Sequence, residues 1–174
     1  MSRPRFAGRY RAPAAPKTPY ITQRGFKQLR LEEKELWSRR KETVKAITAA
    51  AAEGDRSENA EYIYRKKELY AIDARIRYLQ KRMPDLKIID TRPTDVSKVY
   101  FGATITLVNE DDEEKTYTIA GPDEIDPATG TISIDAPLAR AILGKSLGDN
   151  FTFDSPAGPC EYDIIQLDYL HIPA

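Results

Sequence analysis

A chain of 174 residues, 41% apolar and 31% charged, is long enough for one or two small domains with a real core and too short for a large enzyme. Its single cysteine, Cys160, and single histidine, His171, exclude an internal disulfide, a zinc site built from several Cys or His, and any Ser-His or Cys-His dyad that does not use His171. The formal net charge of zero hides a dipole: residues 1 to 83 hold 21 Lys and Arg against 10 Asp and Glu, or +11, and residues 84 to 174 hold 6 against 17, or −11. One end suits a polyanion such as nucleic acid while the other is kept off it.

Residues 1 to 19, "MSRPRFAGRYRAPAAPKTP", carry five basic residues, four prolines and no acid, a composition that cannot bury enough surface to offset the entropy of ordering. They read as a disordered basic tail, with a nonspecific grip on phosphates as the functional alternative. The stretch lacks the apolar segment of a secretory signal, and no apolar run in the chain is long enough to cross a bilayer, so a cytoplasmic protein without membrane contact is expected.

From an N-cap at Thr22 to Ala52 the pattern is helical. Leu29, Leu36, Val44, Ile47 and Ala51 form its seam, with Phe26 at the start, Trp37 beside it, and Glu33 and Arg40 interrupting it. A second run places Leu69, Ile72, Ile76, Leu79 and Met83 at steps of 3 and 4, one apolar seam along a helix that Pro84 stops. Two such helices joined by a short turn bury their seams most simply against each other, as an antiparallel coiled-coil hairpin over residues 20–84 with arms roughly 45 Å long. Beyond residue 96 the period becomes that of strands: "KVYFGATITLVNE", "KTYTIAG", "TISID", "NFTF" and "EYDIIQLDYL", with "PLARAILG" as one short helix. This predicts an α+β chain whose second domain, 96–174, has a mostly antiparallel sheet.

The turn between the helices, "EGDRSENAEY", carries four carboxylates in ten positions, Glu53, Asp55, Glu58 and Glu61. Two readings are open. Gly54 suits a helix C-terminus, Asp55 an N-cap and Glu58 the capping-box position three residues later. Capping, however, uses one or two carboxylates, and the helix behind the turn is basic: seven Lys and Arg against two acids between Tyr62 and Met83. A negative point on a positive rod suits carboxylates delivered to a metal ion beside nucleic acid, with the cations on phosphates.

The stretch "GDRSENAEYIYRKKELYAIDARIRYLQKRM", preceded by "TPYITQRGFKQL" and followed by "SIDAPLARAILGKSLGD", resembles the Gre transcript cleavage factors of bacterial RNA polymerase, the GreB branch more than the GreA branch. The resemblance runs from about Thr18 to the C-terminus. Arg56 and the "YRKK" and "RIRYLQKR" segments favour GreB, whereas residues 1 to 17 depart from the pattern. It implies a coiled-coil arm that enters the polymerase secondary channel, an FKBP-like C-terminal domain that docks at its rim, and a monomeric accessory factor with no enzymatic activity alone. The family's acidic pair falls on Asp55 and Glu58, as catalytic and metal-ligating residues that help hold the second Mg²⁺ of the polymerase's own active centre. Ser57 and Asn59 would shape the turn or orient these carboxylates. Arg56, Arg65, Lys66 and Lys67 match the basic patch that holds the nascent RNA 3′ segment, although a solvated helix face would look the same. Asp135 and Pro137 fall at the marked positions of the polymerase-docking segment, where strand-to-helix capping by Asp135 is the alternative.

Two carboxylates on a small turn are too few for a tight Mg²⁺ cage, so the free protein should bind the ion only weakly. A Gre-like inhibitor without cleavage activity is the rival reading, and a prolyl isomerase is suggested only by the implied FKBP-like fold, which does not fix activity. The run "ARAILGKS" lacks the first glycine of a phosphate-binding loop and the helix after it. "NEDDEEK" is too short for a calcium loop.

Overall fold

The structure, a computed structural model, describes residues 16–52, 59–155 and 158–170. A three-residue strand β1 (Tyr20–Thr22) leads into the 30-residue helix α1 (Gln23–Ala52), and α2 (Ala60–Arg82) returns alongside it. Thr22 caps α1: its Oγ1 accepts from the Gly25 amide at 3.0 Å, which satisfies one of the orphan donors of the first turn. Pro84 ends α2 as expected, within a 3₁₀ turn over Met83–Asp85, and β2 (Lys87–Ile89) then pairs in parallel with β1.

Ile72, Ile76 and Leu79 of α2 are buried against α1, with Ile21, Leu29 and Leu79 forming the core at the arm's base. Fully burying one such side chain contributes about 1.5–3 kcal/mol. On α1 the seam differs from the expected one. It runs Leu29, Leu36, Thr43, Ala50, a strict seven-residue step in which Thr43 and Ala50 are buried while Val44 and Trp37 remain exposed. Register is set by the partner helix, so the small residues lie where the helices approach and the bulkier Val44 points away. Arg40, which interrupts the apolar stripe, reaches Asp73 across the pair at 2.7 Å. Arg39 meets Glu68 at 2.6 Å and Arg75 grips Glu32 at 2.7 and 2.8 Å. Each pair keeps at least one side chain in contact with solvent, so these bridges set register more than stability, at roughly 0.2–1 kcal/mol each.

The second domain is a five-stranded sheet in the order β5-β4-β3-β7-β6, built from β3 (Thr104–Asn109), β4 (Glu114–Ala120), β5 (Thr131–Ser133), β6 (Asn150–Ser155) and β7 (Gly158–Asp168). All pairings are antiparallel except β4 with β5. The helix α3 (Pro137–Ile142) covers one face through Ala139 and Ile142. Alternation along β3 puts Ile105 and Leu107 into that core and Thr104 and Thr106 on the other face, hydroxyl to hydroxyl with Thr118 and Thr116. Buried Tyr169 accepts from the Tyr100 amide and donates to the Lys98 carbonyl, pinning the entry loop.

The sequence reading extends the basic tail through residue 19. Residues 16–19 lie against the arm's base, where the Lys87 amide donates to the Pro19 carbonyl at 2.7 Å and Arg82 donates to the Thr18 carbonyl at 2.6 Å. Residues 1–15 are outside the described chain.

Candidate functional site at the arm tip and its supporting joint

Asp55, Glu58 and Arg56 fall within 53–58, outside the described residues, but their flanks are defined. The N-cap of α2 is Asn59, not Asp55: Asn59 Oδ1 accepts from the Tyr62 amide at 3.0 Å while its Nδ2 donates to the Ala50 carbonyl at 2.8 Å. One side chain thus caps α2 and ties it to the last turn of α1. The capping duty that the sequence pattern allowed Asp55 is already filled.

The basic residues behind the tip divide. Arg65 is held by Glu61 at 3.0 Å and Glu68 at 3.1 Å, and these hydrogen bonds, Glu61's first, raise its pKa. Glu68 is shared with Arg39, whose hydrogen bond leads in pulling its carboxyl below the usual range. Lys66 lies over the Tyr62 ring at 5.5 Å. Lys67 is exposed, and among the described residues it meets no carboxylate. It belongs to a ridge on the face of α2 away from α1, with exposed Ile63, Tyr70, Ala74, Arg77 and Lys81 at alternating steps of 4 and 3. Tyr70, at 64% exposure, stands in the middle of that ridge. Sequence reasoning counted Arg77 and Lys81 among the cations of this helix but did not place them on one ridge with Lys67, and it left Tyr70 out; their heptad spacing was the available signal.

At the other end of the arm, Asp135 lies in the turn before α3. Its carboxylate accepts from the Thr18 amide at 2.9 Å and the Thr18 hydroxyl at 2.6 Å, with Arg140 at 3.7 Å. Burial alone would raise its pKa, but Thr18 and Arg140 hold it below the usual carboxylate value. The residue does not cap α3, whose N-cap Ala136 makes no side-chain cap bond. Pro137 is exposed at the first turn of α3, where its fixed φ suits the helix start. Two neighbouring carboxylates complete the joint. Asp123 accepts from Arg82 Nε at 2.9 Å and from the Tyr78 hydroxyl, and Glu124 accepts from the Thr22 amide at 3.0 Å, the Thr22 hydroxyl and the Gly121 amide at 3.0 Å. Sequence reasoning missed both.

Among the described residues no three His, Cys, Asp or Glu side chains gather as a metal cage, and no helix is long and apolar enough to cross a membrane. Fold and site together define a two-domain protein in which an acidic globular domain carries a cationic helical-hairpin arm.

The description "Transcription elongation factor, N-terminal" matches residues 19–88 and "Transcription elongation factor, GreA/GreB, C-term" matches residues 93–169. The chain belongs to the GreA/GreB family of transcription elongation factors. It is 49% identical over 166 residues to transcription elongation factor GreB of Pseudomonas aeruginosa, covering 95% of this chain and 99% of the relative. It is 50% identical over 163 residues to GreB of Xanthomonas axonopodis pv. citri, covering 92% and 97%. Among solved structures, GreA factor homolog 1 of Thermus thermophilus aligns at 22% identity with a TM-score of 0.40, covering 86% of this chain and 97% of that one.

Proposed function

We propose that the chain acts as a GreB-type elongation factor that binds bacterial RNA polymerase and stimulates cleavage of backtracked nascent RNA, without being an enzyme by itself. The observation that carries this reading is the match of both domains to GreB factors over nearly the whole chain, with the sequence GDRSEN intact between α1 and α2.

In this reading the arm carries Asp55 and Glu58 to the polymerase active centre. Their donor chemistry fits the second Mg²⁺: hard carboxylate oxygens suit the ion, and α2 draws its cap from Asn59, so Asp55 is not spent on it. When bound there, the ion supplies an activated water for hydrolysis of the RNA backbone. The chain's own cations hold the extruded strand by its phosphates. Lys67, Arg77 and Lys81 are better placed for this than Arg65, whose guanidinium is occupied by Glu61 and Glu68. Lys66 and Arg56 remain part of the proposed grip. The C-terminal domain supplies affinity for polymerase, with Pro137 and the outward side of Asp135 in the docking segment.

The test compares Asp55→Asn and Glu58→Gln with the unmodified chain in purified stalled complexes. Binding is expected to persist while RNA shortening is lost. Full cleavage by both variants would overturn the assignment, and binding without stimulation by the unmodified chain would make it an inhibitor instead.

A further inference from the structure

We infer that Asp123 and Glu124 are positioning residues for transcript cleavage: through Tyr78, Arg82 and Thr22 they lock the arm at one angle to the C-terminal domain, so that its far end reaches a fixed point. The inference rests on the function proposed above, because a fixed end matters only if the arm delivers reacting groups.

Each carboxylate takes a different helix. Asp123, with only 4% of its side chain exposed, holds the last turns of α2 through the Arg82 guanidinium, itself 14% exposed, and the Tyr78 hydroxyl. Withdrawing either partner of such a pair strands a buried charge.

Glu124 holds the first turn of α1. In an ordinary capping box the residue three places after the cap is Glu or Gln, and its side chain accepts from the cap's own amide. Here that position is Gly25, and the role passes to Glu124 of the other domain, which accepts from the Thr22 amide at 3.0 Å. A Cβ built on Gly25 would overlap the Glu124 carboxylate, so the missing side chain is what lets the second domain come in. The C-terminal domain cannot swing away without taking the acceptor from the Thr22 amide and hydroxyl. Anchors on two helices add to the Thr18–Asp135 hydrogen bonds and the Tyr20–Phe101 contact and together fix both tilt and roll.

The arm amplifies any slack. At 1.5 Å per residue, α1 extends about 45 Å from this joint, so a swing of about 5° moves its far end by about 4 Å. Reacting groups need placement to within about 0.5 Å, and an error of about 1 Å can cost about a hundredfold in rate.

The test uses the full chain in a Cys160→Ala background, with spin labels at Thr48→Cys on α1 and Leu147→Cys in the C-terminal domain, both exposed positions. The parent should give one narrow distance distribution by pulsed electron resonance. Asp123→Asn with Glu124→Gln should broaden it, leave affinity for stalled polymerase within about threefold, and lower the cleavage rate at saturating factor at least tenfold, within the range expected for misplacement. Thr22→Val, which removes the hydroxyl that donates to Glu124 and with it the acceptor of the Gly25 amide, should fall in between and stands alone should the double variant not fold. A distribution as narrow as the parent's, or a cleavage defect that excess factor removes, overturns the inference. If the parent itself fails to stimulate cleavage, the proposed function fails, and the distances in the free protein still decide whether these carboxylates lock the arm.

Discussion

Gly25→Ala should destabilise this protein, against the ordinary rule for helices. Replacing Gly by Ala in a helix gains up to about 1 kcal/mol. The new methyl group here overlaps the Glu124 carboxylate, and the backbone leaves it no other direction. Glu124 would have to give up the Thr22 amide, the Thr22 hydroxyl and the Gly121 amide. Hydrogen bonds to a charged acceptor contribute about 1.5–3 kcal/mol each when buried. Glu124 is half-buried and regains water once displaced, which brings the combined loss to about 2–3 kcal/mol. The net effect is a destabilisation of about 1–2 kcal/mol, or a fall in Tm of roughly 2–8 °C for a chain of this size. The assay is chemical and thermal unfolding followed by the fluorescence of Trp37, the single tryptophan, which lies on α1. In a Glu124→Ala background the obstacle is gone, and the same substitution should stabilise by up to about 1 kcal/mol. A stabilising Gly25→Ala in the parent chain, or equal effects in the two backgrounds, would refute the reasoning.

Asn59→Ala should lower arm stability by about 1 kcal/mol, read as an earlier loss of helical circular dichroism, because α2 loses its cap and the tie to the Ala50 carbonyl goes with it. Replacing Lys67, Arg77 or Lys81 by Ala should reduce the salt dependence of factor-bound RNA retention, each phosphate contact contributing about 0.7 to the logarithmic slope for a single strand. Arg65→Ala should change that slope less, since its charge is already met by Glu61 and Glu68. Asp135 titrates below the usual value of about 3.9 because Thr18 and Arg140 favour its charged form. Its contribution to stability is therefore complete above about pH 4 and lost as pH falls through the lower folded value. The stability gap between the parent and Asp135→Asn should be constant near neutrality and shrink below about pH 4. Isothermal titration of the free protein with Mg²⁺ should show no micromolar site, two carboxylates being too few to strip the ion of water.

Local periodicity determined a good deal. Thr22 as a cap, the helix to Ala52, the seam Leu69, Ile72, Ile76 and Leu79, the stop at Pro84 and the strands after residue 96 all follow from spacing and backbone restriction, which act between residues close in sequence. The family, too, was legible in "GDRSENAEY" and its flanks. Other features required the folded molecule because they depend on partners distant in the chain. Whether Val44 or Thr43 faces α2 depends on the other helix, and so does the pairing of Arg39 with Glu68 across the arm, whereas Arg65 is held by Glu61 and Glu68 of its own helix at spacings of four and three. No local pattern shows that a glycine three residues past a cap is an opening for Glu124, 102 positions from the capping Thr22. Short-range rules fix which elements form; a carboxylate finds its donors only when the fold brings two domains into contact, and that encounter sets the arm's angle.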